Sequence, residues 1–69
     1  MNRKAFDAAV KEHGTWLPER TFLSLVPAGM NPHAATAEEI AEELDVMTVG
    51  GATGTRFRTQ DLKTALGYL

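Results

Sequence analysis

The sequence predicts a mainly α domain, a compact three- or four-helix unit with a short β-hairpin around residues 46–58. Three observations lead there. Residues 36–45 read TAEEIAEELD, an acceptor side chain followed three positions later by a glutamate and laid over an apolar stripe. That is the pattern of a capped amphipathic helix. Three further stretches carry apolar residues at helical spacing, and each is closed by glycine or proline. Only residues 46–58 depart from this period, turning to β-branched and aromatic residues about a glycine-rich centre.

The first helix spans residues 3–13, with Asn2 as its cap, Phe6, Ala9, Val10 and Ala5 as its inward stripe and Gly14 as its stop. Arg3 and Lys4 stand in its first turn, where the helix dipole prefers acids. That placement fits a frayed end or an end facing phosphate or an acidic partner. Thr15-Trp16-Leu17-Pro18 reads as a connector whose tryptophan anchors one side of the core. Pro18 suits the first turn of a second helix, residues 18–26, with Phe22, Leu23, Leu25 and Val26 as its apolar surface. Pro27 and Gly29 end it, and Met30-Asn31-Pro32-His33 turns the chain toward the third helix.

The third helix, residues 37–45, turns Ala37, Ile40, Ala41 and Leu44 inward and Glu38, Glu39, Glu42, Glu43 and Asp45 outward. Val46-Met47-Thr48-Val49 and Thr55-Arg56-Phe57-Arg58 then form two strands joined by the tip Gly50-Gly51-Ala52-Thr53-Gly54. A long flexible loop is the competing conformation. Thr59 caps the last helix, residues 60–66, which turns Leu62, Ala65 and Leu66 inward and Gln60, Lys63 and Thr64 outward. Gly67 stops it, and Tyr68-Leu69 tucks the apolar tail into the core.

A chain of 69 residues holds one small domain, whose single core supplies only a few kcal/mol of net stability. With no cysteine, neither disulfides nor a thiolate zinc site supplement it. No apolar run is long enough to cross a membrane. Asp7, Lys11, Glu12 and His13 interrupt the segment where an export signal would need an apolar run, so a cytoplasmic location is expected. No internal repeat is visible. The net charge of -2 argues against indiscriminate nucleic-acid binding. The charges are nonetheless segregated: acids crowd residues 38–45, while Arg56, Arg58 and Lys63 face one acid, Asp61, in residues 56–63.

Residues 20–69 resemble a helix-turn-helix domain of the winged-helix kind. The resemblance is carried by Thr21-Phe22-Leu23-Ser24-Leu25-Val26, Thr36-Ala37-Glu38-Glu39-Ile40-Ala41-Glu42-Glu43-Leu44 and Asp61-Leu62-Lys63-Thr64-Ala65-Leu66-Gly67-Tyr68-Leu69 as successive helices. It implies a small DNA-binding or transcription-regulating protein whose last helix enters the major groove by its N-terminal residues. On these positions, Arg56, Arg58 and Lys63 would contact phosphate or guanine, while Thr59, Gln60 and Thr64 would read polar base edges. One recognition helix makes few contacts, so a homodimer is expected.

The acidic helix supports an alternative. Glu38 with Glu42 and Glu39 with Glu43 are like-charge pairs at i,i+4 spacing, each opposing folding by a few tenths of a kcal/mol. Such an array serves a partner with a basic groove, as in small phage-encoded inhibitors that imitate nucleic acid, anti-CRISPR and other anti-defence factors among them. The protein-binding residues would then be Glu38, Glu39, Glu42, Glu43 and Asp45. No enzymatic reading competes. His13 and His33 lack a nearby nucleophile, Gly50-Gly51-Ala52-Thr53-Gly54-Thr55 lacks the lysine and spacing of a phosphate loop, and carboxylates fanned over one helix face enclose no metal. No cofactor is expected.

Overall fold

The computed structural model describes residues 3–27, 29, 36–52 and 54–68. Its elements run α1 (Arg3–His13), β1 (Trp16–Pro18), α2 (Glu19–Leu25), α3 (Ala37–Glu43), β2 (Thr48–Val49), β3 (Arg56–Arg58) and α4 (Thr59–Ala65). The four expected helices are present, each within a few residues of its expected span. Residues 46–58 do form a hairpin, but it belongs to a three-stranded antiparallel sheet of order β1-β3-β2. The third strand comes from Trp16-Leu17-Pro18, expected to be a connector running into a helix. Pro18 ends this strand and precedes α2, because a sheet edge tolerates a residue with no N–H as readily as a helix start does.

The α3 cap forms as the TAEE spacing requires. The Glu39 N–H donates to Thr36 Oγ1 at 3.2 Å, and Glu39 Oε1 accepts from the Thr36 N–H at 3.2 Å and from its hydroxyl at 2.9 Å. The other end closes as a Schellman turn: the Asp45 N–H donates to the Glu42 carbonyl and the Val46 N–H to the Ala41 carbonyl. Asp45 takes the left-handed position, φ 58°, and so lies beyond the helix rather than in it. The end of α4 repeats the device, with the Gly67 N–H on Thr64 and the Tyr68 N–H on Lys63.

The strands pack their middle residues inward. Leu17 pairs with Phe57 across β1 and β3, and both are fully buried with Phe22, Ile40 and Leu62. The Phe22 and Phe57 rings stack at 4.2 Å. Phe6 meets Tyr68 edge-on at 5.5 Å, and the Arg3 guanidinium lies over the Tyr68 ring. Arg3, in an unfavourable place for the α1 dipole, thus gains a cation–π contact that holds the segment after α4 against α1. Tyr68 is buried as expected, while Leu69, the Asn2 cap, Thr53 and the turn around His33 lie outside the described residues. Val10 and Leu23, both expected to face inward, are exposed at 37% and 40%. Ala5 is exposed as well.

An internal correspondence that the sequence hides becomes visible in three dimensions. Residues 14–25 and 54–65 each run from a left-handed glycine through a threonine and a three-residue strand straight into a seven-residue helix. Leu17 corresponds to Phe57 and Phe22 to Leu62. Leu17 and Phe57 are also register partners, so the two corresponding strands pair antiparallel about them. Only glycine, threonine and the apolar spacing are shared. The molecule measures 29 × 28 × 17 Å, a thin slab that sets a small sheet against helices. No helix among the described residues is long and apolar enough to cross a membrane.

Candidate nucleic-acid interface

Strand alternation builds the site. Leu17 and Phe57 point into the core, so Trp16 and Pro18 on β1 and Arg56 and Arg58 on β3 point to the opposite face. Register places Trp16 across from Arg58 and Pro18 across from Arg56. On the other side of β3, Val49 pairs with Arg56, and the Arg58 N–H donates to the Met47 carbonyl at 2.9 Å. Alternation therefore puts Met47 and Val49 on the outer face too, and they are exposed at 52% and 41%. The face is an apolar strip, Trp16, Pro18, Met47 and Val49, divided down the middle by two arginines.

Trp16 is half-buried on this face, and the core position expected for it belongs to Leu17. A period of two in Trp16-Leu17-Pro18 would have separated the two roles, but three residues are too few to show a period. Among the described residues Arg58 has no carboxylate within ion-pair distance, whereas His13 and Glu12 approach to 3.6 Å at the end of α1. His13 Nε2 also lies 3.4 Å from the Thr21 hydroxyl.

The residues expected to read DNA separate into two groups. Arg56 and Arg58 lie on β3, which leads straight into α4 with Arg58 at its N-cap position. Gln60, Lys63 and Thr64 share one side of α4, and the Thr64 hydroxyl donates back to the Gln60 carbonyl. The expectation that Thr59 caps α4 is overturned. It is the first residue of α4 and not its cap, it is 6% exposed, and its hydroxyl donates to the Gly14 carbonyl at 2.6 Å while its N–H donates to Thr15. The first turn of α4 is therefore docked on the end of α1 and the start of β1. Asp61, the one acid in the basic segment, accepts from the Met47 N–H at 2.9 Å and ties α4 to the hairpin.

The acidic set is likewise divided. Glu38, Glu42 and Glu43 are exposed along α3. Glu39 is committed to the cap, whereas Asp45 occupies the left-handed turn beyond the helix. A shallow groove lined by Val10, Gly14, Thr15, Thr59 and Gln60 marks the seam between α1 and α4. No group of three acids or histidines among the described residues is arranged to hold a metal. Compared with known proteins, the chain matches no family, no curated protein and no solved structure.

Proposed function

We propose that this protein is a small nucleic-acid-binding domain of winged-helix-like organisation that makes its contacts through the outer face of its sheet. The observation that carries this reading is the cross-strand placement of Arg56 and Arg58 beside Trp16 and Pro18 on the face turned away from the core. The order of elements supports the resemblance in a shifted register. In that register α1, α2 and α3 are the three helices, and the β2–β3 hairpin with its glycine tip takes the place of the wing. The helix standing where a recognition helix would is then α3, whose outward carboxylates repel phosphate. The arginine-bearing strand is left as the surface that attracts it, with Gln60, Lys63 and Thr64 of α4 as accessory polar contacts.

Replacing Arg56, Arg58 and Lys63 together by alanine is expected to abolish retention on a DNA column while leaving the far-ultraviolet circular dichroism unchanged. Removal of each phosphate-binding cation should flatten the dependence of log affinity on log salt by about one. A wild-type protein with no salt-sensitive DNA binding would end the proposal. A homodimer would double the small contact area and is checked by sedimentation in the same buffer.

The exposed row Glu38, Glu42 and Glu43 favours a second reading, an inhibitor or adaptor that lays α3 on a basic protein surface. Here reversal of the three glutamates to lysine would destroy association. Passage over heparin and over an anion exchanger separates the two readings, since heparin retention near neutral pH belongs to the first and anion-exchange retention alone to the second.

A further inference from the structure

We propose that Trp16 is a base-stacking site, so that the outer sheet face takes an unpaired stretch of single-stranded nucleic acid in preference to a duplex. This deepens the nucleic-acid reading and rests on it. The argument begins with what Trp16 does not do. Leu17 and Phe57 fill the core beneath the sheet, both fully buried, and Trp16 points the other way. It stands with Pro18 on the outer face, where its exposure is intermediate.

What surrounds it selects the ligand. Arg58 is its cross-strand partner, and side chains so paired have Cβ atoms about 5 Å apart. A planar aromatic surface and a guanidinium are thereby held side by side on one rigid ladder. A nucleotide whose base is unpaired offers the complement: a π-face for the indole and, on the same unit, a phosphate for the arginine. A duplex offers the phosphate but keeps its π-faces inside the stack. Three strands of two or three residues, at about 3.3 Å per residue and spaced about 4.8 Å apart, make a platform of at most roughly 10 Å on a side, which suits one or two bases. Met47, exposed beyond Arg58, and Val49, exposed beyond Arg56, extend that platform with apolar surface for a neighbouring base. The competing occupant of an apolar face is a second copy of this chain, but Arg58 would then confront its own copy across a twofold interface.

The chain's only tryptophan is the residue in question, so its fluorescence reports this site alone. Titration of the full chain with an oligothymidylate of about ten nucleotides should quench that emission more strongly, and at lower concentration, than a duplex of equal length. By anisotropy of a labelled oligomer, Trp16→Ala should weaken single-strand binding about tenfold or more, and Trp16→Phe should restore most of it. Melting curves of both variants establish that they fold, and Trp16→Phe carries the test should Trp16→Ala not. Binding seen by anisotropy with no quench, equal quench by the duplex, or unchanged affinity in a folded Trp16→Ala would each overturn the stacking site while leaving nucleic-acid binding intact. Concentration-dependent self-association that changes the emission without any oligomer would overturn it in favour of a dimer interface. Failure of both single-stranded and duplex DNA to bind would remove the broader reading as well.

Discussion

Asp45 holds a left-handed backbone, φ 58°, that costs most side chains about 1 kcal/mol or more and glycine almost nothing. Its carboxylate also sits at the C-terminus of α3, where the dipole disfavours negative charge. Asp45→Gly should therefore stabilise the fold by about 1 kcal/mol in a urea melt. A loss of stability would show that the aspartate makes a contact the turn geometry does not imply. Thr59 gives the opposite expectation. Its hydroxyl satisfies the Gly14 carbonyl from a part-buried position, so Thr59→Val keeps the shape and strands that acceptor. A cost of about 1–2 kcal/mol is expected, with little effect on nucleic-acid affinity. If affinity fell and stability did not, Thr59 would take part in binding rather than in the fold. Neither residue's role was legible in sequence. Asp45 reads as one more acid on an acidic helix, and Thr59 as a cap, because each is fixed by a neighbour distant in the chain or by a dihedral angle.

At the scale of the elements, α3 depends on its cap. The helix has seven residues, too few to be stable alone, and its like-charge glutamates oppose it. Thr36→Ala removes the reciprocal bonds with Glu39 and should cost about 1 kcal/mol, read as loss of helical ellipticity and a lower melting temperature. An unchanged melt would mean that packing of Ala37, Ile40 and Ala41 alone holds α3. The start of this element was readable, since capping is chemistry between residues three apart, whereas its end at Glu43 was not. The strands were readable only in part. Val46–Val49 and Thr55–Arg58 carry β-forming residues around glycines, whereas Trp16-Leu17-Pro18 is a strand only because β3 lies beside it. The likeness of 14–25 to 54–65 is hidden too, since it resides in the order of elements and backbone conformation rather than in shared residues.

For the molecule as a whole, the Phe22–Phe57 stack joins the sheet to α2 at the centre of a core of few large side chains. Phe57→Ala should cost about 3–5 kcal/mol. A chain of 69 residues at roughly 0.05–0.15 kcal/mol per residue has about 3–10 kcal/mol in all. The variant is therefore expected to be largely unfolded at room temperature by circular dichroism. A cooperative melt close to that of the wild type would show that the two halves of the sheet do not share one core. The division of charge belongs to this scale as well. Acids on α3 and arginines on β3 are visible in the sequence as two clusters, but their faces were assigned by the fold alone.

The helices, the α3 cap, the glycine stops and the hairpin were determined by the sequence itself, because each rests on contacts within a few residues. The third strand, the burial of Thr59 and the release of Trp16 from the core to stand beside Arg58 were decided only by tertiary structure. Those features depend on pairing β1 with β3, an interaction between segments some forty positions apart whose partners leave no periodic trace in strands of three residues.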